Sequence, residues 1–215
     1  MSKSMATAVS TAALSQVTKQ IDLGSVIADR AVLDEPVSVN TYILAAVATC
    51  LGRHPMLNGR LENKTVLTPD TVNLGVAVAV TEGLVVPIIH GADRLGFTQL
   101  DQAIGAIAAK AREDKLVYAD IDGGTFTVSN LGMYGIDGGV AIPPPPQGAI
   151  LLVGRANKAF VPDENDSPVI RTLAWFGLTF DHRFIDGATA AALMSDLADT
   201  LGDAPKLREI AGTPR

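Results

Sequence analysis

The sequence predicts an α/β fold in which helices flank a mixed β-sheet. Three observations carry that expectation. Strand-length apolar runs interleave along the chain with segments whose apolar residues recur at three- and four-residue steps. Some of these runs are joined by a short turn, as in a hairpin, and others by a whole helical segment, as in a crossover, so antiparallel and parallel neighbours are both expected. The chain has 215 residues, 47% of them hydrophobic and 19% charged, which suffices for a full core and reads as a single domain over residues 1–215. No internal repeat is evident.

The elements follow in order. From Val39, the residues Val39, Ile43, Ala46, Val47, Cys50 and Leu51 recur at helical spacing, with Ser38 or Asn40 available as a cap and Pro55 beyond the end. Residues 74–80 and 84–89, separated by Thr81-Glu82-Gly83, read as a hairpin. Pro87 argues for an edge position, and apolar residues on both faces predict that both faces are covered. In the next helix Leu100, Ala103, Ile104, Ile107, Ala108 and Ala111 form one stripe. Thr98 is its expected cap, Asp101 complements its first turn, and Lys110, Arg112 and Lys115 suit its C-terminal end. Residues 125–129 alternate as a strand and enter a tight glycine-broken turn at 130–135. Pro143 to Pro146 predict an extended, stiff surface segment. Residues 149–154 form a buried strand, 162–168 an acidic solvated loop and 169–180 the last long strand. The final helix carries Ala190, Leu193, Met194, Leu197 and Leu201 on one face.

Composition excludes several functions. The net charge of −6 comes from 23 acids and 17 bases scattered singly, with no basic stripe interleaved with aromatics, so nucleic acid is not an expected partner. No window reaches the roughly 18 to 20 apolar residues that span a bilayer, and residues 1–22 lack the basic flank and apolar core of a leader. No membrane association and a cytoplasmic location are expected. Cys50, the single cysteine, sits in an apolar helical run and reads as a small buried hydrophobe. Of three histidines, His54 and His90 read as structural or exposed, none belongs to a metal-spaced cluster, and no metal is expected. The glycines at 135, 138 and 139 lack the lysine and the strand-to-helix context of a phosphate loop.

The third histidine lies in Asp181-His182-Arg183-Phe184-Ile185-Asp186-Gly187, between the last strand and the final helix. Side chains at such a junction face a cleft, and an imidazole of ordinary pKa, about 6.5, moves protons near neutral pH. Asp186, before Gly187 and an Ala-rich run, reads as a helix N-cap.

Three stretches, taken in order, resemble the catalytic domain of the dihydrolipoamide acyltransferases of 2-oxo acid dehydrogenase complexes, a family similar in fold to chloramphenicol acetyltransferase. One is residues 181–188, with the His-x-x-x-Asp-Gly signature. Another is residues 123–135, followed by Pro144-Pro145-Pro146-Gln147 and the strand to Gly154. The third is Ser38-Val39-Asn40 opening a helix, then residues 76–79 and 83–88. The match is colinear from about Met5 to Leu207.

The resemblance implies an acyltransferase that moves an acyl group, acetyl, between coenzyme A and a dihydrolipoyl thiol. His182 would be the general base on the thiol, Ser129 the donor to the developing oxyanion, and Asp186 a support of the His182 loop. A thiol with pKa near 8.5 hands its proton to an ordinary imidazole only slightly uphill, so no acyl-enzyme is required. The resemblance also implies a homotrimer in which Ser129 of one subunit faces His182 of its neighbour. Many succinyl-transferring members have threonine where this chain has Ser129, which leans toward acetyl.

The chain departs from the pattern in places. No lipoyl or subunit-binding domain is expected, and the lipoyl group is expected from another domain or protein. Ser2-Lys3-Ser4-Met5 stands where the family's first helix begins with arginines, and Gln16 where a histidine is common. Residues 206–212 are less apolar than the leucine-rich end that joins trimers into cages, so a trimer alone is expected. Two alternatives stay open: a stand-alone coenzyme A-dependent acyltransferase with a small-molecule acceptor, and a non-catalytic trimeric scaffold. No residue is assigned to coenzyme A binding.

Overall fold

A computed structural model describes residues 6, 9–35 and 37–212. In chain order the first half supplies β1 (Leu14–Asp22), α1 (Gly24–Ala31), α2 (Val39–Leu51), β2 (Arg60–Glu62), β3 (Thr65–Leu67), β4 (Leu74–Val76), β5 (Val78–Val80), β6 (Gly83–Val85), β7 (Ile88–Ile89) and α3 (Phe97–Arg112). The second half supplies β8 (Phe126–Asn130), β9 (Ala149–Val153), β10 (Asn157–Pro162), β11 (Pro168–Asp181), α4 (Gly187–Gly202) and α5 (Ala204–Ile210).

The main sheet has seven strands in the order β1-β11-β9-β8-β4-β7, with β10 pairing the outer part of β11. β8 runs parallel to β4 and to β9, while the other neighbours are antiparallel, so the sheet is mixed as expected. Alternation along its strands sends Phe126, Val128, Leu151, Val153, Phe176, Leu178 and Phe180 to one face, where each is buried. Helix α2 covers that face and is buried almost all round, together with Leu193, Leu197 and Leu201 of α4. The five buried positions of α4 are the five in the stripe read from sequence.

The opposite face is covered by a strap, residues 136–147. Gln16 of β1 donates from Nε2 to the Gly139 carbonyl at 2.8 Å, and Arg155 donates its backbone N–H to the Ile136 carbonyl at 2.7 Å. Arg155 Nε also reaches Asp137 Oδ1 at 2.6 Å. Position 154 must be glycine, since a Cβ there would fall on the Asp137 carbonyl. Under the strap Ile150 and Leu152 are buried, and so is Thr179, whose hydroxyl has no hydrogen-bond partner among the described residues.

Some expectations need correction. Ser38 caps α2, accepting from the Thr41 N–H at 3.1 Å. For α3, however, the cap is Gly96, whose N–H donates to Gln99 Oε1 at 3.0 Å, and Thr98 is already helical. The hairpin over 74–89 is real, but it breaks at Ala77 and at Val86-Pro87, so that its base (β4–β7) joins the main sheet and its tip (β5–β6) forms a separate ribbon. β7 is an edge strand, as Pro87 indicates. The tip is open to solvent within one chain, with Leu84 exposed, so the expectation that both faces are covered fails there. The proline run turns instead of extending: the Gln147 N–H donates to the Pro144 carbonyl at 2.9 Å, and Pro143 is buried. Ser2-Lys3-Ser4-Met5 lies outside the described residues.

One buried charge ties the helices together. The Tyr42 hydroxyl donates to Asp29 Oδ2 at 2.5 Å, and Arg208 donates through Nε at 2.9 Å and Nη2 at 3.0 Å to the same carboxylate. The Arg208 hydrogen bond holds the Asp29 carboxyl below its ordinary value, although burial pushes it up; burial and then Asp29 push the Tyr42 phenol up.

Candidate active site

β11 ends at Asp181, and the chain turns through residues 182–186 into α4. Backbone bonds seat the turn: the Asp181 N–H donates to Gly148 at 2.9 Å, and the His182 N–H donates to Ala13, just before β1, at 2.8 Å. Asp181 is 5% exposed and grips Arg183, with Oδ2 at 2.6 Å from Nη2 and Oδ1 at 3.0 Å from Nε. Burial raises the Asp181 carboxyl, but Arg183 and the backbone N–H groups of Arg183 and Ala13 outweigh it and leave the group below its ordinary value. At the helix end Asp186 accepts the Thr189 N–H at 2.7 Å, which keeps its carboxyl low. Between these two anchored acids the His182 side chain is exposed, its ring tilted over Phe180 with centroids 5.6 Å apart.

Ser129 is the fourth residue of β8 and half-buried, on the strap side of the sheet with Thr127. The turn after it is tightly held. Asn130 Oδ1 accepts the Gly132 N–H at 2.9 Å, the Leu131 N–H donates to Val153 at 2.9 Å, and Asn130 Nδ2 donates to Asn40 Oδ1 at 3.2 Å. A Cβ on Gly132 would lie 2.8 Å from the Gly154 carbonyl oxygen.

Of the three sequence candidates, His182 and Asp186 come together and Ser129 does not join them. Ser129 pairs with Leu152, which pairs with Gly177, so His182 lies two strands across and five residues further along β11. At about 3.3 Å per residue and about 4.8 Å per strand this is about 19 Å. Ser129 and His182 occupy opposite ends of the sheet. A base must come within about 3 Å of the group whose proton it takes, and an oxyanion donor within about 3 Å of the carbonyl oxygen that group attacks.

Sequence reasoning missed the Asp181–Arg183 clamp and the Asn40–Asn130 bond. The Asp-x-Arg spacing beside the motif carried a signal for the clamp; no local signal links Asn40 to Asn130. His54 Nε2 lies 2.9 Å from Asp196 Oδ2, and His90 Nε2 lies 2.9 Å from the Ala119 carbonyl, so both serve the fold. Cys50 is buried, which pushes its thiol up. A cavity of about 430 Å³ opens at the His182 end of the sheet, with Arg60, Ile121, Gly124 and Gln147 in its wall. A smaller one of about 120 Å³ beside it reaches Asp181, Arg183 and Phe184. Among the described residues no group of three or more His, Cys, Asp or Glu is placed to hold a metal, and no helix is long and apolar enough to cross a membrane.

The helix-backed mixed sheet that carries these two turns is the fold of an acyltransferase class. Over residues 1–208 the chain matches the family described as 2-oxoacid dehydrogenases acyltransferase (catalytic domain), and it belongs to that family. It is 40% identical over 159 residues to the dihydrolipoyllysine-residue acetyltransferase component of the pyruvate dehydrogenase complex of Rickettsia bellii, covering 74% of this chain and 38% of that protein. It is 32% identical over 205 residues to the dihydrolipoyllysine-residue succinyltransferase component of the 2-oxoglutarate dehydrogenase complex of Rickettsia felis, covering 92% of this chain and 51% of that protein. The chain thus spans about half the length of these relatives, or less. A solved structure of Azotobacter vinelandii dihydrolipoamide acetyltransferase is 26% identical, with a TM-score of 0.91, covering 96% of this chain and 88% of that one. That work concerns the role, in that enzyme's catalytic mechanism, of a serine, a histidine and an asparagine four positions after the histidine. Chloramphenicol acetyltransferase, 18% identical with a TM-score of 0.61 over 93% of this chain and 94% of that one, shares the fold.

Proposed function

We propose that this chain transfers an acyl group, acetyl, between coenzyme A and a dihydrolipoyl thiol carried on another domain or protein. The observation that carries the reading is His182, exposed on a turn fixed by the Asp181–Arg183 clamp, four residues before the Asp186 cap, the spacing of the histidine and asparagine studied in the Azotobacter enzyme. His182 takes the proton of the attacking thiol as sulfur bonds to the thioester carbonyl carbon, and the carbonyl electron pair moves to oxygen. Ser129 Oγ–H donates to that oxyanion. Collapse breaks the bond to the leaving sulfur, which takes the proton back from His182, so no group on the protein is consumed. Asp186 positions the turn by capping α4.

The separation of about 19 Å between Ser129 and His182 supports a site shared between subunits of a homotrimer, each supplying its serine to a neighbour's histidine. The test supplies acetyl-coenzyme A and free dihydrolipoamide and measures S-acetyldihydrolipoamide by chromatography. The wild type should form S-acetyldihydrolipoamide from acetyl-coenzyme A faster than it forms S-succinyldihydrolipoamide when succinyl-coenzyme A is the donor. His182→Ala should lower the rate by about 10² to 10⁴, and Ser129→Ala by about 10² to 10³. Equal, slow product formation by wild type and His182→Ala with both donors would sink the reading and favour a scaffold.

A further inference from the structure

We infer that Asn40 is a positioning residue that aims Ser129 by holding the turn behind it; this rests on the acyl-transfer reading above. The Ser129 side chain makes no hydrogen bond to another described residue, so the reach of its hydroxyl is set by where the backbone places its Cβ. That backbone leads straight into Asn130, whose carboxamide is used at both ends. The Gly132 N–H needs an acceptor, which assigns Oδ1 of Asn130 to it at 2.9 Å and turns Nδ2 toward Asn40. Asn40 must then present its own Oδ1, the acceptor of the 3.2 Å bond. The bond spans 90 residues of sequence and joins β8 to the second residue of α2.

Helix α2 is a rigid reference for such a bond. It is capped by Ser38, Thr41 Oγ1 donates to Asp101 of α3, and residues 41–48 are all buried. The turn has little freedom elsewhere, because Leu131 is bonded to Val153 and Gly132 lies against the Gly154 backbone. Without the Asn40 acceptor the Asn130 carboxamide is held only by the Gly132 N–H, and Ser129 loses the constraint that ties it to the core helix.

An acceptor is all that Asn40 contributes, which makes the conservative variant informative. Asn40→Asp keeps Oδ1 and places an acid in the first turn of a helix, where the dipole favours it. Asn40→Leu keeps the size and removes the acceptor. Rates of S-acetyldihydrolipoamide formation should show kcat lower by about tenfold to a hundredfold in Asn40→Leu, from misplacement of the donor, with KM for both substrates unchanged. Asn40→Asp should recover most of that rate. In a Ser129→Ala background Asn40→Leu should cost nothing further, since it acts through the missing hydroxyl. As a readout independent of turnover, solvent exchange of the Asn130 side-chain amide, followed by NMR, should speed up in Asn40→Leu and not in Asn40→Asp. The inference is overturned if Asn40→Leu keeps full kcat, if it loses the same factor with and without Ser129, if Asn40→Asp is as slow as Asn40→Leu, or if the amide exchange does not change. A wild type that transfers no acyl group refutes the acyl-transfer reading itself, whereas an active wild type with an unaffected Asn40→Leu refutes only the role of Asn40.

Discussion

Thr179 keeps a hydroxyl buried beneath the strap with no partner among the described residues. Removing an unsatisfied polar group without changing shape relieves its desolvation cost and opens no cavity, so Thr179→Val should raise unfolding stability by about 1 kcal/mol. Denaturant melts will read it, and a loss of stability would mean that the hydroxyl finds a partner in the assembled protein. The Asp29–Arg208 pair behaves oppositely. Arg208→Met leaves a carboxylate that is 5% exposed with Tyr42 as its remaining side-chain donor. The cost should be about 2 kcal/mol at pH 7, below the range for fully buried pairs because the arginine is partly solvated. Asp29 has a depressed pKa in the fold, so its contribution is complete above the ordinary carboxylate pKa of about 3.9 and is lost as pH falls through the lower folded value. Melts from pH 7 down to about 3 should therefore show wild type and Arg208→Met converging at the acid end; a constant gap would refute the assignment.

The strap offers a test at the level of elements. Gly154→Ala drives a methyl group into the Asp137 carbonyl and must lift the start of the strap, at a cost of about 1 to 3 kcal/mol. Trp175, the single tryptophan, has its Cβ beside Gly138 and is half-exposed, so lifting the strap should shift its emission further to the red in this variant; unchanged emission would show that the strap adjusts elsewhere. The elements read from sequence are those whose own residues carry the signal, apolar spacing in α2, α3 and α4 and apolar runs or alternation in β8, β9 and most of β11. Those that escaped are marked by partners far along the chain. β1 carries Gln16, Thr18 and Gln20 and reads as polar, yet all nine of its residues pair with β11 through backbone groups that leave no trace in side chains. α1 buries Asp29, an acid that reads as solvent-facing until Arg208 is seen beside it. The same rule divides the candidate site. His182 and Asp186 were legible because four residues separate them; the tie between Asn40 and Asn130 crosses 90.

On the scale of the whole molecule, a shared site can be tested by mixing. Chains carrying Ser129→Ala and chains carrying His182→Ala, coexpressed in equal amounts, should regain turnover at about a quarter of the sites if serine and histidine come from neighbouring subunits. A mixture no more active than its components would place both groups in one chain. Light scattering should give the mass of a trimer, and a particle of eight or twenty trimers would contradict the expectation drawn from residues 206–212. The two ends of one β-sheet then acquire a kinetic meaning. If the site is shared as proposed, a solitary chain would hold a proton acceptor and, out of its reach, an oxyanion donor, and would have little power to spend a thioester on water. Catalytic output would then be a function of protein concentration, falling on dilution faster than the number of chains and returning only as fast as subunits find one another.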